Sequence, residues 1–130
     1  MDPSDDRSPT VLVVGDDSSY CTIIRELLVR NGYQVRLAYG AQQAFDLLQR
    51  EQPDLILTDL MMPEVDGFTF IKRLRSSPAQ AGIPTIVVSA LVLARERAAA
   101  QAGADGFVAK PFSINQLRAA IKLVMAPVQS

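Results

Sequence analysis

The chain contains no histidine and one cysteine. Without imidazole it holds no phosphohistidine, no Ser-His-Asp triad and no histidine metal ligand. Any phosphoryl group it handles must rest on another nucleophile. A lone Cys21 forms no internal disulfide, and a reducing cytoplasm is its simplest home. No apolar stretch approaches the roughly 20 residues that span a membrane. The start, Met1-Asp2-Pro3-Ser4-Asp5-Asp6-Arg7-Ser8-Pro9, is acidic and polar, unlike the basic and apolar opening of a signal peptide. A net charge of −1 without a basic run argues against direct nucleic-acid binding.

What is present suits one globular domain. The 130 residues are 48% hydrophobic and 21% charged. Short, very apolar runs end on polar residues: Val11-Leu12-Val13-Val14-Gly15-Asp16-Asp17, Asp54-Leu55-Ile56-Leu57-Thr58-Asp59, Ile86-Val87-Val88-Ser89 and Gly106-Phe107-Val108-Ala109-Lys110. Such runs read as strands buried on both faces of a parallel sheet. Strands are expected near 10–15, 34–38, 54–58, 84–88 and 105–109. Helices are expected near 18–31, 41–50, 67–76, 91–102 and 113–125. Ile23, Ile24, Leu27 and Leu28 make one apolar stripe, and Ile114, Leu117, Ile121 and Val124 another. Gly32, Gly40, Gly82 and Gly103 punctuate the connections, Ser113 suits an N-cap, and Asp66-Gly67 suit a turn and cap. Strand–helix alternation implies right-handed crossovers and a doubly wound α/β sandwich. Residues 1–9 read as a disordered leader, 10–125 as the domain, and 126–130 as a tail or the start of a linker.

In a doubly wound sheet the working site lies beyond the carboxyl ends of the strands. Asp16, Asp59, Ser89 and Lys110 fall at those ends. Acidic groups, a hydroxyl and a lysine gathered there suit Mg²⁺ and phosphate chemistry.

Five segments in this order resemble the receiver domain of two-component response regulators over about residues 10–125. They are the acidic pair, Asp59 followed by Leu60-Met61-Met62-Pro63-Glu64-Val65-Asp66-Gly67-Phe68, Val88-Ser89-Ala90, Ala102-Gly103-Ala104-Asp105-Gly106-Phe107, and Lys110-Pro111-Phe112. The resemblance implies a flavodoxin-like five-stranded parallel sheet of order 2-1-3-4-5 with five helices. It implies that Asp59 accepts a phosphoryl group as an acyl phosphate. Asp16, Asp59 and the Met61 carbonyl would hold Mg²⁺, and Lys110 would pair with Asp59 and then with the phosphoryl oxygens. Ser89 would be the switch hydroxyl and Phe107 the aromatic that turns inward with it. The chain would be a phosphoacceptor rather than an enzyme. Its donor would be a sensor histidine kinase or a histidine phosphotransfer protein. It would dock downstream through Leu91, Val92, Leu93, Arg95, Phe107 and Gln116, with a phosphorylation-linked dimer as one outcome. It would be either a stand-alone receiver or a piece of a longer protein.

One position departs from the pattern. Gly15 stands where the family has a first acidic residue, which normally orients metal-bound water. Losing such a partner costs about 10–100-fold in metal affinity or activity. Asp17 is a candidate substitute. The competing reading is a pseudo-receiver, an interaction module that no longer cycles. A flavin-binding protein or small phosphatase sharing the fold is a third, though an acidic turn after the first strand suits a flavin phosphate poorly. Met61 and Leu91 flank the expected path of attacking water and offer it no hydrogen bond. Self-dephosphorylation is therefore expected to be slow, and Met61→Asn to speed it.

Overall fold

The computed structural model describes residues 8–60, 62, 65–90 and 93–125. Five strands alternate with five helices: β1 Thr10–Val14, α1 Ser18–Arg30, β2 Gln34–Ala38, α2 Ala41–Leu48, β3 Leu55–Thr58, α3 Gly67–Ser76, β4 Thr85–Ala90, α4 Leu93–Ala102, β5 Gly106–Lys110 and α5 Ile114–Met125. All strand pairs are parallel, and the order is β2-β1-β3-β4-β5, as expected. Every crossover therefore carries a helix, which covers a sheet face and buries the central strands on both sides. β1 and β3 are buried almost throughout, whereas the edge strand β2 alternates exposed and half-buried residues.

Two layers of core follow. Val11, Val13, Leu55, Leu57, Ile86 and Val88 pack on one face with Cys21, Ile24 and Leu28 of α1 and Leu117 and Ile121 of α5. Leu12, Val14 and Ile56 pack on the other with Ala41, Ala44 and Leu48 of α2 and Phe70 and Leu74 of α3. The α1 stripe differs from expectation. Cys21, Ile24 and Leu28 face the sheet and Leu27 is half-buried, but Ile23 is 55% exposed. Ile23 lies about 100° round the helix from Ile24, on the side away from Cys21, which takes the third core position.

Boundaries moved where hydrogen bonding overrules composition. β3 starts at Leu55 because the Asp54 carboxylate accepts from the Thr10 backbone N–H at 2.8 Å, while its own N–H donates to the Thr10 carbonyl. β4 runs on to Ala90 because Ser89 and Ala90 pair with Ala109 and Lys110. The first nine residues were expected to be a leader, yet the Pro9 carbonyl accepts from Gln34 N–H at 2.9 Å and extends the β2 pairing. Residues 91 and 92, where the fourth helix was expected to begin, lie outside the described residues.

Candidate functional site

The parallel register brings the strand ends together. Val14 lies opposite Thr58 in the β1–β3 ladder, so Gly15 comes opposite Asp59 and Asp16 one step beyond. Asp59 N–H donates to the Val14 carbonyl at 3.0 Å, which fixes the backbone of the candidate nucleophile to the sheet. Its Oδ1 accepts from the Leu60 N–H at 2.7 Å, and its Oδ2 faces Lys110 Nζ at 3.2 Å. The Asp59 side chain is 18% exposed and that of Lys110 28%, so the pair is screened only in part and still open to a reactant. The bond from Lys110 to Pro111 is cis.

The lysine has a second neighbour that sequence reasoning missed. The Tyr20 ring lies beneath the ammonium, its centroid 4.1 Å from Nζ. Tyr20 also meets the Phe112 ring edge-on, with centroids 6.2 Å apart. Burial, with Asp59 as the next cause, pushes the Tyr20 phenol up to about 12, so it is neutral at physiological pH. A tyrosine three residues after a helix cap carries no sequence signal of such a role, because its partners follow some 90 residues later.

Around Gly15 the chain is tightly used. Its N–H donates to the Ala38 carbonyl at 3.0 Å, and its own carbonyl accepts from the Cys21 thiol at 3.6 Å. A β-carbon at position 15 would stand 3.3 Å from Cys21 Sγ and 3.7 Å from Asp59 Cβ. Sulfur therefore lies against the space that a side chain at position 15 would enter. Burial raises the Cys21 thiol above its ordinary range, Asp17 and Asp59 push the same way, and Lys110 opposes them. The thiol is thus buried and protonated, the opposite of a reactive cysteine. A cavity of about 20 Å³ lies between Gly15, Tyr20, Cys21, Asp59, Val88 and Lys110, room for about one water.

The remaining candidates fall as follows. Asp16 is exposed at the end of β1. Asp17 is the N-cap of α1, its Oδ1 accepting from Tyr20 N–H at 3.0 Å, a duty that competes with substitution at the metal site. Ser89 is buried in β4, and Arg95 Nη1 reaches its hydroxyl at 3.5 Å. Phe107 is half-buried against the cluster of Leu60, Ile71, Val87, Ala99 and Ala102. Gln116 spends its side chain on the α5 cap: Ser113 N–H donates to Gln116 Oε1 at 2.8 Å, and Gln116 N–H to Ser113 Oγ at 3.1 Å. Met61, Leu91 and Val92 lie outside the described residues, as do the water-path readings that rest on Met61 and Leu91. The structure thus joins Asp59 to Lys110 directly and Ser89 to Arg95.

Asp16 and Asp59 are hard oxygen donors on adjacent strand ends, the kind of set Mg²⁺ takes when phosphate and water complete its octahedron. Among the described residues no group of three or more His, Cys, Asp or Glu side chains converges, in keeping with the glycine at position 15.

Comparison with known proteins agrees with this geometry. The chain is 36% identical over 116 residues to the response regulator MprA of Mycolicibacterium vanbaalenii, covering 88% of this chain and 49% of that one. It is 35% identical over 119 residues to MprA of Mycobacterium bovis, covering 91% and 51%. The chain thus spans about half the length of the curated relatives it matches. Its fold superposes on the receiver domain of the sensor histidine kinase PA1611 from Pseudomonas aeruginosa with a TM-score of 0.85, at 28% identity over 93% of this chain and all of that one. That structure carries a magnesium ion in its active-site cleft. The chemotaxis protein CheY4 of Vibrio cholerae superposes with the same score at 26% identity, covering 91% and 99%. With the family's sequence pattern matched over residues 11–122, on a sheet that carries an aspartate and a lysine in contact at its carboxyl edge, the chain belongs to the response regulator receiver domains.

Proposed function

We propose that this receiver takes a phosphoryl group onto Asp59 from a phosphohistidine and converts that event into a change at a protein-docking surface. The observation that carries the reading is the 3.2 Å pair of Asp59 and Lys110 at the carboxyl ends of β3 and β5. One Asp59 carboxylate oxygen attacks phosphorus, an O–P bond forms, and the N–P bond of the donor breaks. The departing imidazole keeps the bonding pair and takes up a proton. The phosphohistidine lies outside these 130 residues, which hold no histidine, and the donor is a sensor histidine kinase or a histidine phosphotransfer protein.

Asp16 and Asp59, with the Met61 carbonyl, would hold Mg²⁺, which when bound neutralises the charge of an approaching phosphoryl group. Lys110 offers a compact cation that can leave the carboxylate for the new phosphoryl oxygens. Ser89 then turns its hydroxyl toward that group, giving up its contact with Arg95, and Phe107 repacks against α4. The new charge biases a two-state element. The docking surface we assign includes Leu91, Val92, Arg95 and Phe107, and it also serves a phosphorylation-linked dimer. The single buried thiol suits a cytoplasmic setting, and among the described residues no helix is long and apolar enough to cross a membrane.

Gly15, with Asp17 engaged as a cap, favours one rival: a pseudo-receiver that binds partners without cycling. Intact-protein mass after incubation with phosphoramidate and Mg²⁺, with and without EDTA, separates the two. A Mg²⁺-dependent gain of one phosphoryl group that Asp59→Asn abolishes is the expected result. No gain at high Mg²⁺ would replace the phosphoacceptor with the pseudo-receiver.

A further inference from the structure

The Lys110 ammonium is held on two sides, by the Asp59 carboxylate at 3.2 Å and by the face of the Tyr20 ring at 4.1 Å. We propose that Tyr20 is a positioning residue for Lys110, its ring face holding the ammonium at the phosphoacceptor site and so setting the rate of phosphoryl transfer. The inference rests on the reading of Asp59 as phosphoacceptor.

A lysine stem is flexible, and a partly exposed carboxylate contact fixes the ammonium's distance better than its direction. An aromatic face within about 6 Å adds a second anchor. That anchor is itself fixed. Tyr20 N–H donates to the Asp17 cap at 3.0 Å, and the ring packs edge-on against Phe112, two residues beyond the lysine. The start of α1 and the end of β5 are thereby joined through the side chain that must move toward the phosphoryl group. The ring also differs from Asp59 in what phosphorylation does to it. Asp59 changes charge and shape on becoming an acyl phosphate, whereas the Tyr20 face stays as it is. It keeps the ammonium near the site after the carboxylate is esterified. The attraction is to the π face and does not need the hydroxyl.

The test compares wild type, Tyr20→Phe and Tyr20→Leu, with Tyr20→Met as a second ringless variant. Two quantities are read: the rate of mass gain with phosphoramidate and Mg²⁺, and, with no donor present, the NMR shift of the Lys110 ε-methylene protons. Ringless variants should be phosphorylated about 5–30-fold more slowly, and Tyr20→Phe within about threefold of wild type. The upfield ring-current shift should be present in wild type and Tyr20→Phe and gone in the ringless variants. Ringless variants as fast as wild type would overturn the proposal, as would Tyr20→Phe as slow as Tyr20→Leu. If wild type takes no phosphoryl group, the Asp59 reading fails. The NMR shift then decides alone whether the ring holds the lysine: lost without the ring it does, unchanged it does not.

Discussion

At the scale of one residue, Gly15 is the departure expected from the receiver pattern, and its neighbours say what reversal would cost. A β-carbon there meets Cys21 Sγ at 3.3 Å, so an aspartate can enter only if the sulfur shifts by a few tenths of an ångström. Gly15→Asp alone should therefore gain less Mg²⁺ affinity than Gly15→Asp with Cys21→Ala, the pair gaining about tenfold by recovering an orienting carboxylate. Isothermal titration calorimetry measures both, as the chain has no tryptophan to report binding by fluorescence. Equal gains would show that sulfur is no obstacle. Tyr20 makes a second prediction. Its phenol is raised from 10.0 to about 12, chiefly by burial and then by Asp59, so the native state holds that proton more tightly than the unfolded chain does. The stability this contributes is intact below about pH 10 and is lost as pH rises through about 12. Urea midpoints followed across that window should fall in wild type and fall less in Tyr20→Phe. The departure at Gly15 was readable from the chain alone; the sulfur beside it was not, since nothing local relates position 15 to the inward face of α1.

At the scale of elements, polar side chains at the helix starts set where helices begin. Asp17 caps α1, Asp66 caps α3 by accepting from Thr69 N–H at 2.8 Å, and Ser113 with Gln116 closes a reciprocal box on α5. The Asp66 and Ser113 caps were legible because they act within three residues, whereas Gln116 was expected on the docking face and Asp17 near the metal. Asp66→Ala should cost about 1 kcal/mol in urea denaturation. It should leave the phosphorylation rate unchanged, since the exposed Asp66 carboxylate is spent on the Thr69 N–H. The next residue is different. Gly67 N–H donates to the Leu60 carbonyl at 2.9 Å, and a β-carbon on Gly67 would stand 2.7 Å from Leu60 Cα and closer still to the Asp59 carbonyl. The sequence presents Gly67 as turn punctuation. Packing makes it the point where α3 presses on the backbone that carries Asp59.

Across the whole molecule, the end of the sheet opposite the site is stapled by one side chain. Arg75 Nε donates to the Gly103 carbonyl at 2.9 Å, and Nη1 to the carbonyls of Ala81 and Ile83 at 3.1 and 2.9 Å. Nη2 reaches Asp105 Oδ2 at 2.8 Å, which also accepts from Thr85 N–H. The guanidinium thus ties α3 to the approach to β4 and to the turn between α4 and β5. Gly103, at φ +115°, lies so close that a β-carbon would meet Arg75 Cγ at 2.8 Å. Arg75→Ala leaves several carbonyls without a donor and should destabilise the domain by about 2–4 kcal/mol. Arg75→Lys should recover little, because one ammonium cannot reproduce the fork. Urea unfolding measures both, and near-wild-type stability in Arg75→Lys would show that charge alone suffices.

The sequence by itself determined the strand–helix alternation and the placing of Asp16, Asp59, Ser89 and Lys110 at strand ends, while the sheet order followed from its resemblance to receiver domains. Apolar periodicity acts over a few residues, and the handedness of parallel crossovers leaves few ways to assemble the rest. Tertiary structure alone decided what surrounds those residues. Only when α1 packs across β1 and β3 does Tyr20 come beneath a lysine 90 positions later and Cys21 beside the gap at Gly15. Only the closing of α3 on β4 and β5 gathers three carbonyls and a carboxylate around Arg75. Those contacts depend on how helices seat on the sheet, and that is set by the shape of the whole core.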